Sequence, residues 1–285
     1  MSAVLPAQFR VTGAAAAEGV AALPMYDLPE LEAANDALWS ALAERLRAAG
    51  VARTPPTLTR GRPLGPLWSD PRLLLAQACG YPYIVGLRGW VRLVGTPQYR
   101  AAGCEGPFHR SAVLVRSGDR AQSLDEMRGR RLALNEATSN TGMNLLRAEI
   151  APLAKSARFF GEVITTGAHA RSAAAVAGGE ADLCAVDCVT WAHLQRLEPT
   201  MASKLRVLAW SSRSPGLPLI TGRMTDEATF AALGQCLANV MGDPTLAEVR
   251  RALLLDGLHT LPDANYRGLL YVEQIAIDQG YPDLV

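Results

Sequence analysis

The sequence predicts an α/β fold, and three observations carry that prediction. Apolar runs of strand length alternate with helix-period segments along the chain. Nearly all of those runs are continuously apolar rather than alternating, the pattern of parallel sheets covered on both faces. The chain, at 285 residues, is long enough for two modest lobes and a sizeable core.

The elements follow in order. Residues 20–25 read as a short buried strand ending at Tyr26 and Asp27. Leu31, Ala34, Leu38, Leu42 and Leu46 then recur at helical spacing, with Asp27 placed to cap, Glu30 three residues on, and Gly50 as the stop. Residues 53–66, rich in Pro and Gly, make an irregular connection or an edge strand. Ser69, Asp70 and Pro71 open a second predicted helix through Leu73, Leu74, Leu75 and Ala78, stopped by Gly80. Residues 91–95 and 111–115 read as strands around a loop holding Gly103, Cys104, Gly106 and Pro107. A short capped helix at 123–127 leads to a strand at 131–135, and a loop from Ser139 to Gly142 leads into a helix at 143–151. A strand at 162–165 precedes a turn at Gly167 and an Ala-rich helix at 170–177 that Gly178 and Gly179 end. Residues 181–187 form an apolar strand ending in Asp187, 205–210 one more strand, and 214–218 a turn. From residue 226 the pattern is helical, near 227–241, 245–255 and 263–279, so strands are expected to cease after residue 221.

Composition narrows the function classes. With 28 Lys and Arg against 27 Asp and Glu, and no long basic run, the chain lacks the clustered charge that nucleic-acid binding draws on. Five cysteines, an odd number over a large domain, imply reduced thiols rather than a disulfide framework. Residues 1–22 do not supply the uninterrupted apolar core of a secretory signal, because Arg10, Thr12 and Gly13 break it. No run approaches the ~20 apolar residues of a membrane helix. The expectation is a protein not embedded in a membrane, cytoplasmic as written and periplasmic if an export signal was removed or is unrecognised.

Three places could carry chemistry. Asn135 to Asn144 gathers Thr138, Ser139, Asn140, Thr141 and Gly142 where a loop turns into a helix, so hydroxyls and free N–H groups converge at the positive end of the helix dipole. This suits an anion held without Lys or Arg, or it is simply a helix cap. His169 opens the next helix and is either a hydrogen-bonding or charged group near neutral pH or a surface residue. Asp187, at the carboxyl end of an apolar strand, either faces a ligand crevice or caps the following helix. Cys184, Cys188 and His193 have metal-like spacing, but the first lies inside a strand and the second just past its end, so no metal site is expected. No nucleophile elbow, Walker loop or dinucleotide fingerprint is present.

The order Tyr26-Asp27, Cys79-Gly80-Tyr81-Pro82, Gly106-Pro107-Phe108-His109-Arg110-Ser111, Thr138 to Gly142, Thr166 to His169 and Ala185-Val186-Asp187 resembles the phosphate/phosphonate-type substrate-binding proteins of ABC importers, from about residue 20 to Gly280-Tyr281-Pro282. The resemblance implies a two-lobed type II periplasmic-binding-protein fold, each lobe a mostly parallel sheet flanked by helices, joined by two crossing strands. The first crossing would fall near 106–115 and the return near 207–212, giving lobe one from 1–105 plus 211–285 and lobe two from 106–210. It further implies that Tyr26 and Tyr81 face the cleft, that Ser139, Asn140, Thr141 and Gly142 hold the anionic head, and that His169 and Asp187 complete the site. The implied partners are a small anion (phosphate, phosphite or a phosphonate) and an ABC permease, with no cofactor, for a protein expected to be a monomer. Family members that bind amino-phosphonates carry an acid after the return strand, and residues 211–218 have none. The alternative is an enzyme on the same fold, with His169 and Asp187 as an acid–base pair. A sensory module is a third reading, although no signalling segment accompanies it.

Overall fold

The structure, a computed structural model, describes residues 18–155 and 158–285. The expectation that residues 1–22 supply no secretory signal falls mostly on residues 1–17, which lie outside the described residues. The chain opens with β1 (Val20–Ala22), then α1 (Glu32–Ala48), whose apolar stripe of Leu38, Leu42 and Leu46 is buried. Asp27 does not cap this helix, which has Leu31 at its N-cap; its carboxylate instead accepts hydrogen bonds from Asn35 Nδ2 (2.9 Å) and Arg60 Nε (2.7 Å). The short helix α2 (Leu64–Trp68) precedes β2 (Leu73–Gln77), where the sequence pattern pointed to a helix. Every residue of β2 is buried, and a short apolar run satisfies either geometry until neighbouring strands choose for it. Asp70, placed to start that helix, accepts from Arg72 N (2.9 Å) in a turn.

The chain continues through α3 (Gly80–Pro82) and β3 (Val91–Tyr99) to β4 (Phe108–His109) and β5 (Ser111–Arg116), which enters the second lobe. There β6 (Arg131–Leu134), α4 (Leu145–Ala154), β7 (Glu162–Thr165), α5 (His169–Gly178), β8 (Leu183–Asp187), α6 (Cys188–Leu197), α7 (Pro199–Ala202) and β9 (Leu205–Trp210) alternate strand with helix. The return passes β10 (Ser214–Pro215) and β11 (Leu219–Gly222), then α8 (Glu227–Gly242), α9 (Ala247–Ala252), β12 (Leu255–His259) and α10 (Asp263–Asp278).

The first sheet has the order β1-β2-β11-β3-β12 and the second β7-β6-β8-β5-β9. In the first, β1, β2 and β3 run one way and β11 and β12 the other. In the second, β5 alone opposes the other four. The reversed strands are the ones that enter a lobe from the other side or close its edge. Between the sheets, β4 and β10 pair antiparallel, His109 opposite Ser214, so the chain crosses twice side by side. β12 overturns the expectation that strands cease after residue 221. Leu254 takes a positive φ of 58°, which ends the helical run and swings 255–259 onto the edge of β3. One buried apolar cluster reaches across both lobes, because Tyr266 and Leu269 of α10, with Tyr281 and Leu284, pack into the same core as Leu132, Phe159 and Phe160.

Candidate functional site

A cleft of about 920 Å³ opens between the lobes. It lies beyond the carboxyl ends of the parallel strands, where β1 leads to Tyr26, β2 to Cys79, β6 to Asn135, β7 to His169, and β8 ends at Asp187. Of the residues expected to bind, Tyr26, Ser139, Thr141, His169 and Asp187 line it.

The polar wall is built by the turn after β6. Ser139 is the N-cap of a widened helical turn at Asn140–Asn144, and its Oγ accepts from Gly142 N at 2.9 Å. A serine hydroxyl that accepts one bond still has its O–H to donate, so the capping and anion-binding readings of this residue are compatible. Thr141 Oγ1 and Asn135 Nδ2 stand 3.2 Å and 3.4 Å from His169 Nε2. Burial lowers the His169 pKa, which keeps the ring neutral near pH 7. Gly142 is required by contact, since a Cβ there would stand 1.8 Å from Asn135 Oδ1.

The floor is the Asp187 carboxylate. Its Oδ1 accepts from Tyr26 OH (2.8 Å) and from Val189 N (2.9 Å) and Thr190 N (3.1 Å), so Asp187 does cap α6 as one reading of the sequence held. Its Oδ2 lies 3.6 Å from His109 Nδ1, an ion-pair contact too long for a hydrogen bond. Burial by itself would raise the carboxyl pKa, yet the facing His109 holds it below the ordinary value. The same attraction outweighs burial on His109 and raises its pKa. Burial, and then the neighbouring carboxylate, push the Tyr26 phenol far up, so it stays a donor. Around this pair, Tyr99 packs edge-on against Tyr26 (5.1 Å between ring centres) and His109 (5.6 Å).

Three expected residues do not line the cleft. Tyr81 turns away, because α3 directs it to α10, where its hydroxyl donates to Glu273 Oε1 at 2.6 Å. Asn140 is buried, donating from Nδ2 to Ser214 Oγ (2.9 Å) and from its backbone N–H to Cys79 Sγ (3.4 Å). Gly142 is committed to the Ser139 cap. His169 and Asp187 share no hydrogen bond, and each engages other partners. Cys184, Cys188 and His193 do not converge. The set that does, among the described residues, is His109, Asp187 and Cys188, whose donor atoms lie within 4.8 Å of one another.

Sequence reasoning named Asn135 only as the start of the hydroxyl-rich stretch, without a role of its own, and missed the apolar wall of Met25, Leu64, Trp68, Pro82, Val85 and Leu87. Asn135 follows a parallel strand, the positional signal that singled out Asp187; the apolar residues carry no signal distinguishing cleft from core. Arg62 lines the cleft but is paired with Asp70 Oδ2 at 2.9 Å. No helix of the described residues is long and apolar enough to cross a membrane.

Residues 20–266 match the family model described as ABC transporter, phosphonate, periplasmic substrate-binding protein. No curated protein matches the chain by sequence. Among solved structures, PhnD1 from Prochlorococcus marinus in complex with methylphosphonate superposes with a TM-score of 0.72 at 11% identity, covering 92% of this chain and 98% of that one. A binding protein component of an ABC phosphonate transporter from Pseudomonas aeruginosa gives 0.70 at 13% identity, covering 92% and 88%. A Xanthomonas citri protein bound to chloride gives 0.69 at 19% identity, covering 92% and 98%.

Proposed function

Because this chain belongs to the family of periplasmic substrate-binding proteins of phosphonate ABC transporters, we propose that it clamps a small phosphonate-like anion between lobes 1–105 plus 211–285 and 106–210 and delivers it to a permease from the periplasm. The observation that carries the reading is the helix start at Ser139–Thr141, which presents two hydroxyls to the interlobe cleft beside neutral His169. A helix N-terminus and neutral donors favour an anion without a cationic clamp. The only cleft-lining cation named above, Arg62, is already paired.

The ligand's head would accept from Ser139 and Thr141, with Tyr26 and Asp187 as a fixed floor. Its substituent would lie against Met25, Leu64, Trp68 and Val85, which favours an alkyl over an aminoalkyl phosphonate. Ligand would bind one lobe first and shift the open–closed balance by its greater affinity for the closed form. Isothermal calorimetry with phosphate, phosphite, methylphosphonate and 2-aminoethylphosphonate tests this. Heat with at least one of them and weakest binding of the aminoalkyl compound are expected. Silence with all four would overturn the assignment.

A further inference from the structure

Cys104 and Cys188 are the two cysteines of this chain whose sulfurs touch, 3.4 Å apart. They come from opposite sides of the chain crossing. Cys104 follows β3 of the first sheet, ahead of β4, and Cys188 begins α6 directly after β8 of the second. The approach is built into the backbone. Gly103 has a φ of +94°, and a Cβ there would stand 2.9 Å from Cys188 Cβ and 2.6 Å from the Trp210 ring, so only glycine lets the loop lie this close to α6. The pair is also suitably graded in access, since Cys104 is half-buried and Cys188 fully buried.

We propose that Cys104 and Cys188 are a redox-active pair that closes to a disulfide, tying the exit loop of lobe one to the first turn of α6 in lobe two beside the cleft floor. The proposal rests on the periplasmic reading only for the oxidising compartment that would sustain the bond. The chemistry balances as thiol–disulfide exchange. The Cys104 thiolate attacks an external small-molecule disulfide, releasing one thiolate and leaving a mixed disulfide. The Cys188 thiolate then attacks the Cys104 sulfur and expels the second thiolate. Two thiols become one disulfide, their two protons pass to the two departing thiolates, and the external disulfide is thereby reduced by two electrons to two thiols. One end of the new bond adjoins Asp187, which holds Tyr26 of the other lobe, so closure would restrain lobe opening from the floor of the cleft.

The test is peptide mapping of the full chain after treatment with oxidised glutathione and alkylation of remaining thiols. Trypsin places Cys104 in peptide 101–110, and Cys184 with Cys188 in peptide 172–196. A cross-linked pair of these peptides, two hydrogens lighter than their sum, is expected in the parent and in the C184S variant. It should be lost in C104S and C188S, and the parent should return to free thiols with dithiothreitol. Circular dichroism confirms folding of each variant, and C104S, at the half-exposed position, keeps the test open should C188S fail to fold. A stable glutathione adduct on Cys104 with Cys188 still alkylated, or both thiols protected by a bound metal ion and released by a chelator, would overturn the proposal. The readout needs no anion, so its failure and that of the anion-binding reading are separately visible.

Discussion

Ser139 does two jobs with one oxygen, accepting from Gly142 N while keeping a proton to donate. Ser139→Ala is expected to weaken anion binding by about 1–3 kcal/mol if the lost bond is charge-assisted, and Thr141→Ala by a similar amount, both read by calorimetry. Gly142→Ala would drive a methyl into Asn135 Oδ1 and lower Tm, and adding Asn135→Ala should restore part of the loss. His109 makes a pH prediction. Its raised pKa contributes stability that is fully present below its ordinary value of 6.5 and lost as pH rises through the folded value; the lowered pKa of Asp187 contributes above its ordinary 3.8 and is lost as pH falls through the folded value. Between those two ordinary values both contributions stand. The parent's Tm is therefore expected to fall above about pH 6.5, and His109→Gln should flatten that fall, both measured by scanning calorimetry. Equal slopes in the two proteins would count against the ion pair.

At the scale of elements, α6 depends on the acid that precedes it. Asp187→Ala removes the cap and leaves Tyr26 OH and His109 without their buried partner, and a loss of about 3–5 kcal/mol in denaturant unfolding is expected. Asp187→Asn keeps the cap and should cost less. The elements also show where sequence patterning stops being informative. α1 and α5 carry a helical period and a glycine stop, and both stand where the pattern placed them. The run around Leu73–Gln77 has no period to read, and its strand state comes from insertion between β1 and β11. β12 follows a left-handed Leu254, a conformation that no residue preference announces.

For the whole molecule, two sheets are joined by the paired crossings β4 and β10, about which the proposed closure would turn. Addition of a bound anion should reduce the radius of gyration in X-ray scattering and raise stability by about 2.7 kcal/mol at one hundred times Kd. A stabilised protein of unchanged radius would mean binding without closure. The C-terminal region opposes free motion, because Arg147 Nη1 of α4 donates to Pro282 O beyond α10 at 2.7 Å, and Asn144 Nδ2, in the turn before α4, donates to Leu269 O of α10 at 3.2 Å. The proposed closure would have to keep or exchange these bonds.

By itself the sequence determined the alternation of apolar strands with helices, the balanced charge, and the presence of a hydroxyl-rich helix start and a strand-end acid. These are local properties, set by composition and by period along the chain. Tertiary structure decided that Tyr81 turns to Glu273 rather than to the cleft, that Asp187 pairs with Tyr26 and faces His109, and that Cys104 meets Cys188. Each of those contacts joins residues more than 75 positions apart, and their geometry is fixed by how two sheets meet, which no local pattern encodes.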